Sequence, residues 1–112
     1  MKFVIAIVPH HKLEELKDEL AKVDVTRMTI MDVRGYGRQK GHKEIFRGQE
    51  VHINFVNKLE IQIAVNDDFL KPTVDTIMRV CYSGKPGDGK VFVLPMDETY
   101  RVSTKESGRT AI

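Results

Sequence analysis

The sequence predicts an α+β domain built from two strand–helix–strand halves joined by a long irregular segment. Three features carry this prediction. Lys2 to Val8 is an apolar, β-branched run, two later stretches repeat apolar residues at helical spacing, and Lys58 to Val65 alternates strictly. A chain of 112 residues has room for one domain, 1–112, around one modest core.

Lys2 to Val8 reads as a strand buried on both faces or central in a sheet, and Pro9 ends it. Leu13, Leu16, Leu20 and Val23 then mark the apolar stripe of a helix over Lys12 to Val23. Glu14, Glu15, Lys17, Asp18, Glu19 and Lys22 fill its other face. A second strand is expected over Met28 to Arg34. Gly35 to Phe55 shows no periodicity and mixes Gly35, Gly37, Gly41 and Gly48 with Arg38, Lys40, Lys43 and Arg47. Loops this long inside a compact domain usually serve a function. By composition this one suits phosphates, an acidic partner or plain solvent.

Leu59, Ile61, Ile63 and Val65 lie on one face of the next strand, and Glu60 and Gln62 on the other. Asp67 or Asp68 is placed to cap the second helix, with Pro72 in its first turn and Val74, Ile77, Met78 and Cys81 as its buried stripe. Met28, Met31, Met78 and Met96 are expected as core filler. Ser83 to Gly89 is a glycine-rich turn, and Val91 to Leu94 a short strand closed by Pro95. The polar segment 96–112 holds an extended piece near Tyr100 to Val102. The order is that of a ferredoxin-like split βαβ (βαββαβ) sandwich, with both helices on one face of an antiparallel sheet. The second sheet face then needs a cover, which points to oligomerisation.

Composition excludes several classes. The formal charge of +2 is too small to argue for nucleic acid or an anionic membrane. The single Cys81 excludes an internal disulfide and reads as a reduced cytosolic thiol packed as a small hydrophobe, consistent with a cytoplasmic protein. The N-terminal apolar run is too short for a signal peptide or a membrane span. His10, His11, His42 and His52 make no metal-ligand spacing with Cys81, and His10 and His11 read as surface residues.

Gly84-Lys85-Pro86-Gly87-Asp88-Gly89-Lys90 fits seven positions of a Walker A loop. The eighth is Val91 instead of Ser or Thr, and a strand follows instead of a helix, so a P-loop NTPase is rejected. Two readings of the turn stay open. It is a tight helix-to-strand turn with solvated lysines, or a cradle in which backbone amides at Gly87 and Gly89, with Lys85 and Lys90, receive an anion. The glycine spacing of Gly35 to Gly41 does not fit a dinucleotide fingerprint. Glu60, Gln62 and Ala64 offer no aromatic platform for stacked bases, which disfavours an RNA-binding domain of the same topology.

Ser83 to Val93, together with Gly35-Tyr36-Gly37-Arg38-Gln39-Lys40-Gly41-His42, Arg47-Gly48, Glu50, Val74-Asp75-Thr76-Ile77 and Ala111-Ile112, resembles the PII nitrogen-regulatory signal proteins over essentially the whole chain. The resemblance implies a homotrimer with nucleotide sites in the clefts between subunits, where ATP and ADP compete. It implies that Gly87, Asp88, Gly89 and Lys90, with Gly37 at the loop root, surround the phosphates. Arg38 and Arg101 would add positive charge, and Thr29 and Ala64 would lie near the adenine. It further implies 2-oxoglutarate as effector, with Gln39 on the magnesium of MgATP and Lys58 on the distal carboxylate, a chemistry that suits both ions.

The mobile T-loop of such proteins corresponds to about 36–55 here, the nucleotide-binding turn to 83–90. Arg47 at the loop tip would enter a partner such as an ammonium transporter, and nitrogen-assimilation enzymes are the other implied targets. No catalysis, no nucleic acid and no direct membrane contact are implied. The alternatives are a diverged nucleotide sensor with another effector and target, or a slow nucleotide hydrolase. The chain departs from the pattern at Val51, where many relatives carry a modified tyrosine, at Gln49, and at Ser103, where a second arginine usually stands beside the phosphates. Lys105 and Arg109 are the candidates to replace that charge.

Overall fold

The computed structural model describes residues 1–37 and 55–112 in full, and between them the backbone of the short strands Glu44–Phe46 and Gln49–Val51. Strand β1 (Lys2–Val8) leads through a 3-10 turn at His10–Lys12 into α1 (Leu13–Ala21), followed by β2 (Thr29–Tyr36). Strands β3 (Glu44–Phe46) and β4 (Gln49–Val51) form their own antiparallel ribbon, with Ile45 opposite Glu50. Strand β5 (Phe55–Val65), α2 (Asp67–Cys81) and β6 (Lys90–Pro95) complete the fold. The main sheet is antiparallel in the order β2-β5-β1-β6. This is the split βαβ arrangement that the element order predicts.

Alternation along the strands divides the sheet into two unlike faces. Val4, Ala6 and Val8 of β1 and Leu59, Ile61, Ile63 and Val65 of β5 are buried beneath the helices. Leu16 and Leu20 of α1 and Ile77, Val80 and Cys81 of α2 close the core above them. The other face carries Phe3, Ile5 and Ile7, in register with Leu94, Phe92 and Lys90 of β6. Phe92 and Leu94 remain 47% and 43% exposed, so this apolar face has no cover among the described residues. β1 is therefore central in the sheet but buried on one face only.

Several local expectations need correction. Asn66, not Asp67 or Asp68, is the N-cap residue of α2, and its amide donates to Arg109 O at 3.2 Å instead of capping. The two aspartates sit in the first turn, where negative charge suits the helix dipole, and have other partners. Asp67 accepts from the Met1 ammonium at 2.8 Å. Asp68 accepts from both terminal nitrogens of Arg109, at 3.0 and 2.9 Å. Pro72 lies in the second helical turn, not the first, so the Asp68 carbonyl loses its N–H partner there. The next residue, Thr73, is fully buried and donates its hydroxyl to Phe69 O at 2.7 Å.

The buried stripe of α2 is Thr73, Thr76, Ile77, Val80 and Cys81, rotated from the expected one. Met78 is 59% exposed and Met31 37%, so neither is core filler. Helical spacing identifies a periodicity, but an amphipathic stripe flanked by Val74 and Met78 can tilt either way until the facing sheet is present. Burial raises the Cys81 thiol above its usual range, as expected of a small hydrophobe packed against the core. Near Tyr100 the expected extended piece reduces to a bridge to Ser107, ahead of a 3-10 turn at Gly108–Ala111.

Candidate functional site

β1 and β2 end, and β5 and β6 begin, at the same edge of the sheet. The register places Lys58 beside Val33 of β2 and Lys90 beside Ile7 of β1. The glycine turn between α2 and β6 folds over that edge, next to the root of the 37–54 segment. Between them lies a cavity of about 340 Å³ lined by Ile7, Gly35, Tyr36, Gly37, Val56, Lys58, Gly87, Gly89, Lys90 and Phe92. Two lysines project into a wall that is otherwise apolar or glycine. Such a site favours an anion with an apolar or planar portion.

The turn is held from both ends. The Asp88 carboxylate accepts from the Ser83 hydroxyl, from Ser83 N at 2.7 Å and from Gly84 N at 3.0 Å. Lys85 N donates to Ser83 Oγ at 3.2 Å. At the other end the Lys58 ammonium donates to the Gly87 carbonyl. Gly87 and Gly89 adopt φ of 102° and 106°, which side chains rarely allow. At Gly89 an added Cβ would stand 1.8 Å from the Ile7 carbonyl oxygen, so packing against β1 alone demands glycine there.

Hydrogen bonds from the Ser83 side chain and backbone hold the Asp88 carboxyl below the usual carboxylate range. A depressed folded pKa contributes stability above the unfolded value, lost as pH falls through the folded value. The turn is therefore expected to loosen below about pH 4, read as smaller protection of the 83–90 amides relative to their intrinsic exchange rate at each pH. Ser83→Ala removes the main cause of the depression and should flatten that dependence.

Of the expected binding residues, the structure brings Gly37, Lys58, Gly87, Gly89 and Lys90 to one cavity. Asp88 adjoins it, with its carboxylate turned to Ser83 and Gly84. Thr29 and Ala64 do not line it. Thr29 pairs with Gln62, and Ala64 lies six residues beyond Lys58 on β5, roughly 20 Å along an extended strand. Ala64 instead borders a second cavity of about 290 Å³ with Arg27, Asn66, Phe69 and Ile112. Arg101 is half-buried in the tail, and its Nε is buried without a partner among the described residues. Arg38, Gln39 and Arg47 lie outside the described residues.

Sequence reasoning did not single out Ser83 as the clamp of Asp88, although a Ser five residues before an Asp across glycines is a readable signal for side-chain-to-backbone bonding. Arg109, a candidate to replace the charge missing at Ser103, is instead committed to Asp68, which also holds the Asp68 carboxyl below its usual range.

A small antiparallel α+β sandwich in which the glycine turn meets the end of β2 at a cationic cavity offers a place for an anion at the end of the sheet. The comparisons with known proteins name its family. The family model for Nitrogen regulatory protein P-II matches residues 1–106. Nitrogen regulatory protein GlnK1 of Methanosarcina mazei is 45% identical over 114 residues, covering all of this chain and 97% of that protein. Nitrogen regulatory protein P-II of Klebsiella oxytoca and P-II 1 of Escherichia coli K12 are each 44% identical over the full length of both chains. The chain belongs to the P-II nitrogen regulatory protein family. Among the described residues no helix is long and apolar enough to cross a membrane.

Proposed function

We propose that this chain is a non-catalytic signal transducer that reports nitrogen, carbon and energy status by binding ATP or ADP together with 2-oxoglutarate. The observation that carries this reading is the single cavity in which Lys58, Lys90 and the glycine turn meet the root of the long loop. Phosphate oxygens suit Lys90 and the backbone amides of the glycine turn. A carboxylate suits the Lys58 ammonium. Gln39 would supply an amide oxygen to magnesium, which takes its other oxygens from phosphates and a 2-oxo acid. Ligand contacts at the loop root would bias the 38–54 segment toward or away from a target, with Arg47 reaching a partner such as an ammonium transporter or a nitrogen-assimilation enzyme.

The trimer belongs to the same reading. Phe3, Ile5, Phe92 and Leu94 leave an apolar sheet face open, which a second copy of the chain would cover. Separation of Thr29, Ala64 and Arg101 from the Lys90 cavity within one chain supports a site shared between subunits. The Nε of Arg101, without a partner among the described residues, suits a group that meets its acceptor only in that assembly. Such a protein acts in the cytoplasm and approaches the membrane through its partner.

Calorimetric titration of ATP with magnesium, with and without 2-oxoglutarate, tests this function. Tighter ATP binding in the presence of 2-oxoglutarate is expected. Binding that ignores the effector favours the second reading, a diverged nucleotide sensor, and absence of nucleotide binding removes both. The second reading has its own observation. Ser103 is exposed, and Arg109 is held away by Asp68, so the second arginine of the family pattern is not replaced from that position. Ser103→Arg is accordingly expected to tighten ATP binding by about tenfold, the worth of one charge-assisted contact, with less effect on ADP. Equal effects on both nucleotides would refute the assignment of position 103 to the terminal phosphate.

A further inference from the structure

The hydrogen bond between Lys58 and the Gly87 carbonyl joins two parts of the site that are 29 positions apart in the chain. Lys58 stands on the open face of β5, and its side chain spans the cavity to reach the turn. The geometry is close on both sides: a Cβ added at Gly87 would lie 3.5 Å from Lys58 Nζ. A free lysine side chain is flexible and loses rotamer freedom when ordered. Here the carbonyl orders it before any ligand arrives. An ammonium has three donors, and among the described residues one is committed to Gly87. The described residues leave its other two donors to an anion in the cavity.

We propose that the Gly87 carbonyl is a positioning group for the Lys58 ammonium, so that the glycine turn and a carboxylate effector share one cation. The carboxylate in this statement rests on the function proposed above; the ordering of the turn by Lys58 does not. The bond makes the coupling between nucleotide and effector mutual. A nucleotide that orders the turn fixes the Gly87 carbonyl and, through it, Lys58. A carboxylate on the remaining donors then finds its partner already placed, and by linkage its arrival tightens the nucleotide by the same factor.

Hydrogen exchange of the full chain on the millisecond-to-second scale tests this without any ligand. Lys58→Met keeps the apolar stem and removes the donor. It is expected to speed exchange at the amides of 83–90 by about tenfold while β1 and the core of β5 keep wild-type rates. Lys85→Met removes an equal charge from the same turn and should leave those amides unchanged. Unchanged exchange in Lys58→Met, or equal acceleration in both variants, would overturn the proposal.

The second arm adds 2-oxoglutarate to wild-type protein saturated with MgATP. Bridging predicts further protection of 83–90. Faster turn exchange would mean that the carboxylate takes Lys58 from Gly87, and would also overturn it. Should calorimetry show no effector binding, the proposed function fails while the ligand-free arm still decides whether Lys58 orders the turn.

Discussion

Gly89→Ala is expected to lower the unfolding midpoint by roughly 10–20 °C, corresponding to about 3–5 kcal/mol for a domain of this size. Two costs add at this position. A φ of 106° lies where side-chain-bearing residues are strained, by about 1–3 kcal/mol. The new Cβ would also meet the Ile7 carbonyl oxygen at 1.8 Å. That oxygen belongs to the central strand, paired on both sides by β5 and β6, so it cannot yield as a side chain would. The start of β6 must move instead, carrying Lys90 out of register with Ile7. Gly37→Ala is the control. No described residue crowds that position and its φ is not in the left-handed region, so stability should stay unchanged or rise slightly. Thermal unfolding of the two variants compares them directly, and similar midpoints would contradict the packing argument.

Lys58→Ala is expected to move the dependence of ATP affinity on 2-oxoglutarate to much higher effector concentrations. The loss should be about 10–100-fold in effector affinity, the usual range for removing a charge-assisted contact. Lys58 faces the open side of β5, whereas its neighbour Leu59 enters the core, so the fold should survive the change. Calorimetry with and without the effector reads the function, and circular dichroism reads the fold. Retention of the effector response at wild-type effector concentrations in a folded Lys58→Ala protein would remove the carboxylate role from this residue. Comparison with Lys90→Ala separates the two ligands. That variant should weaken nucleotide binding first and the effector only through the nucleotide.

The order of the major elements was legible because each has its own period. Lys2–Val8 runs apolar and Lys58–Val65 alternates at strand spacing, and Leu13, Leu16 and Leu20 repeat at helix spacing, although β5 begins earlier, at Phe55, within the stretch read as irregular. Glycine at 87 and 89 was legible as an unusual backbone, with its function left open between a tight turn and an anion cradle. The structure shows that the turn is tight by packing and that it lines a cavity with Lys58 and Lys90. The β3–β4 ribbon was hidden because Glu44–Phe46 and Gln49–Val51 are too short to show a period.

What the sequence alone determined is the chemistry and the family: the alternating strands, the amphipathic helices, the glycine turn with its lysines, and motifs specific enough to place the chain among P-II proteins. Tertiary structure alone decided the partners. It gave Asp68 to Arg109, Asp88 to Ser83 and Lys58 to the Gly87 carbonyl, and it rotated the α2 stripe so that Thr73 and Val80 are buried and Met78 is exposed. Periodicity and composition act over a few neighbouring residues, so they can be read along the chain. A hydrogen bond between positions 29 or 41 apart depends on how the sheet and helices bring those segments together, and only the folded arrangement contains that distance.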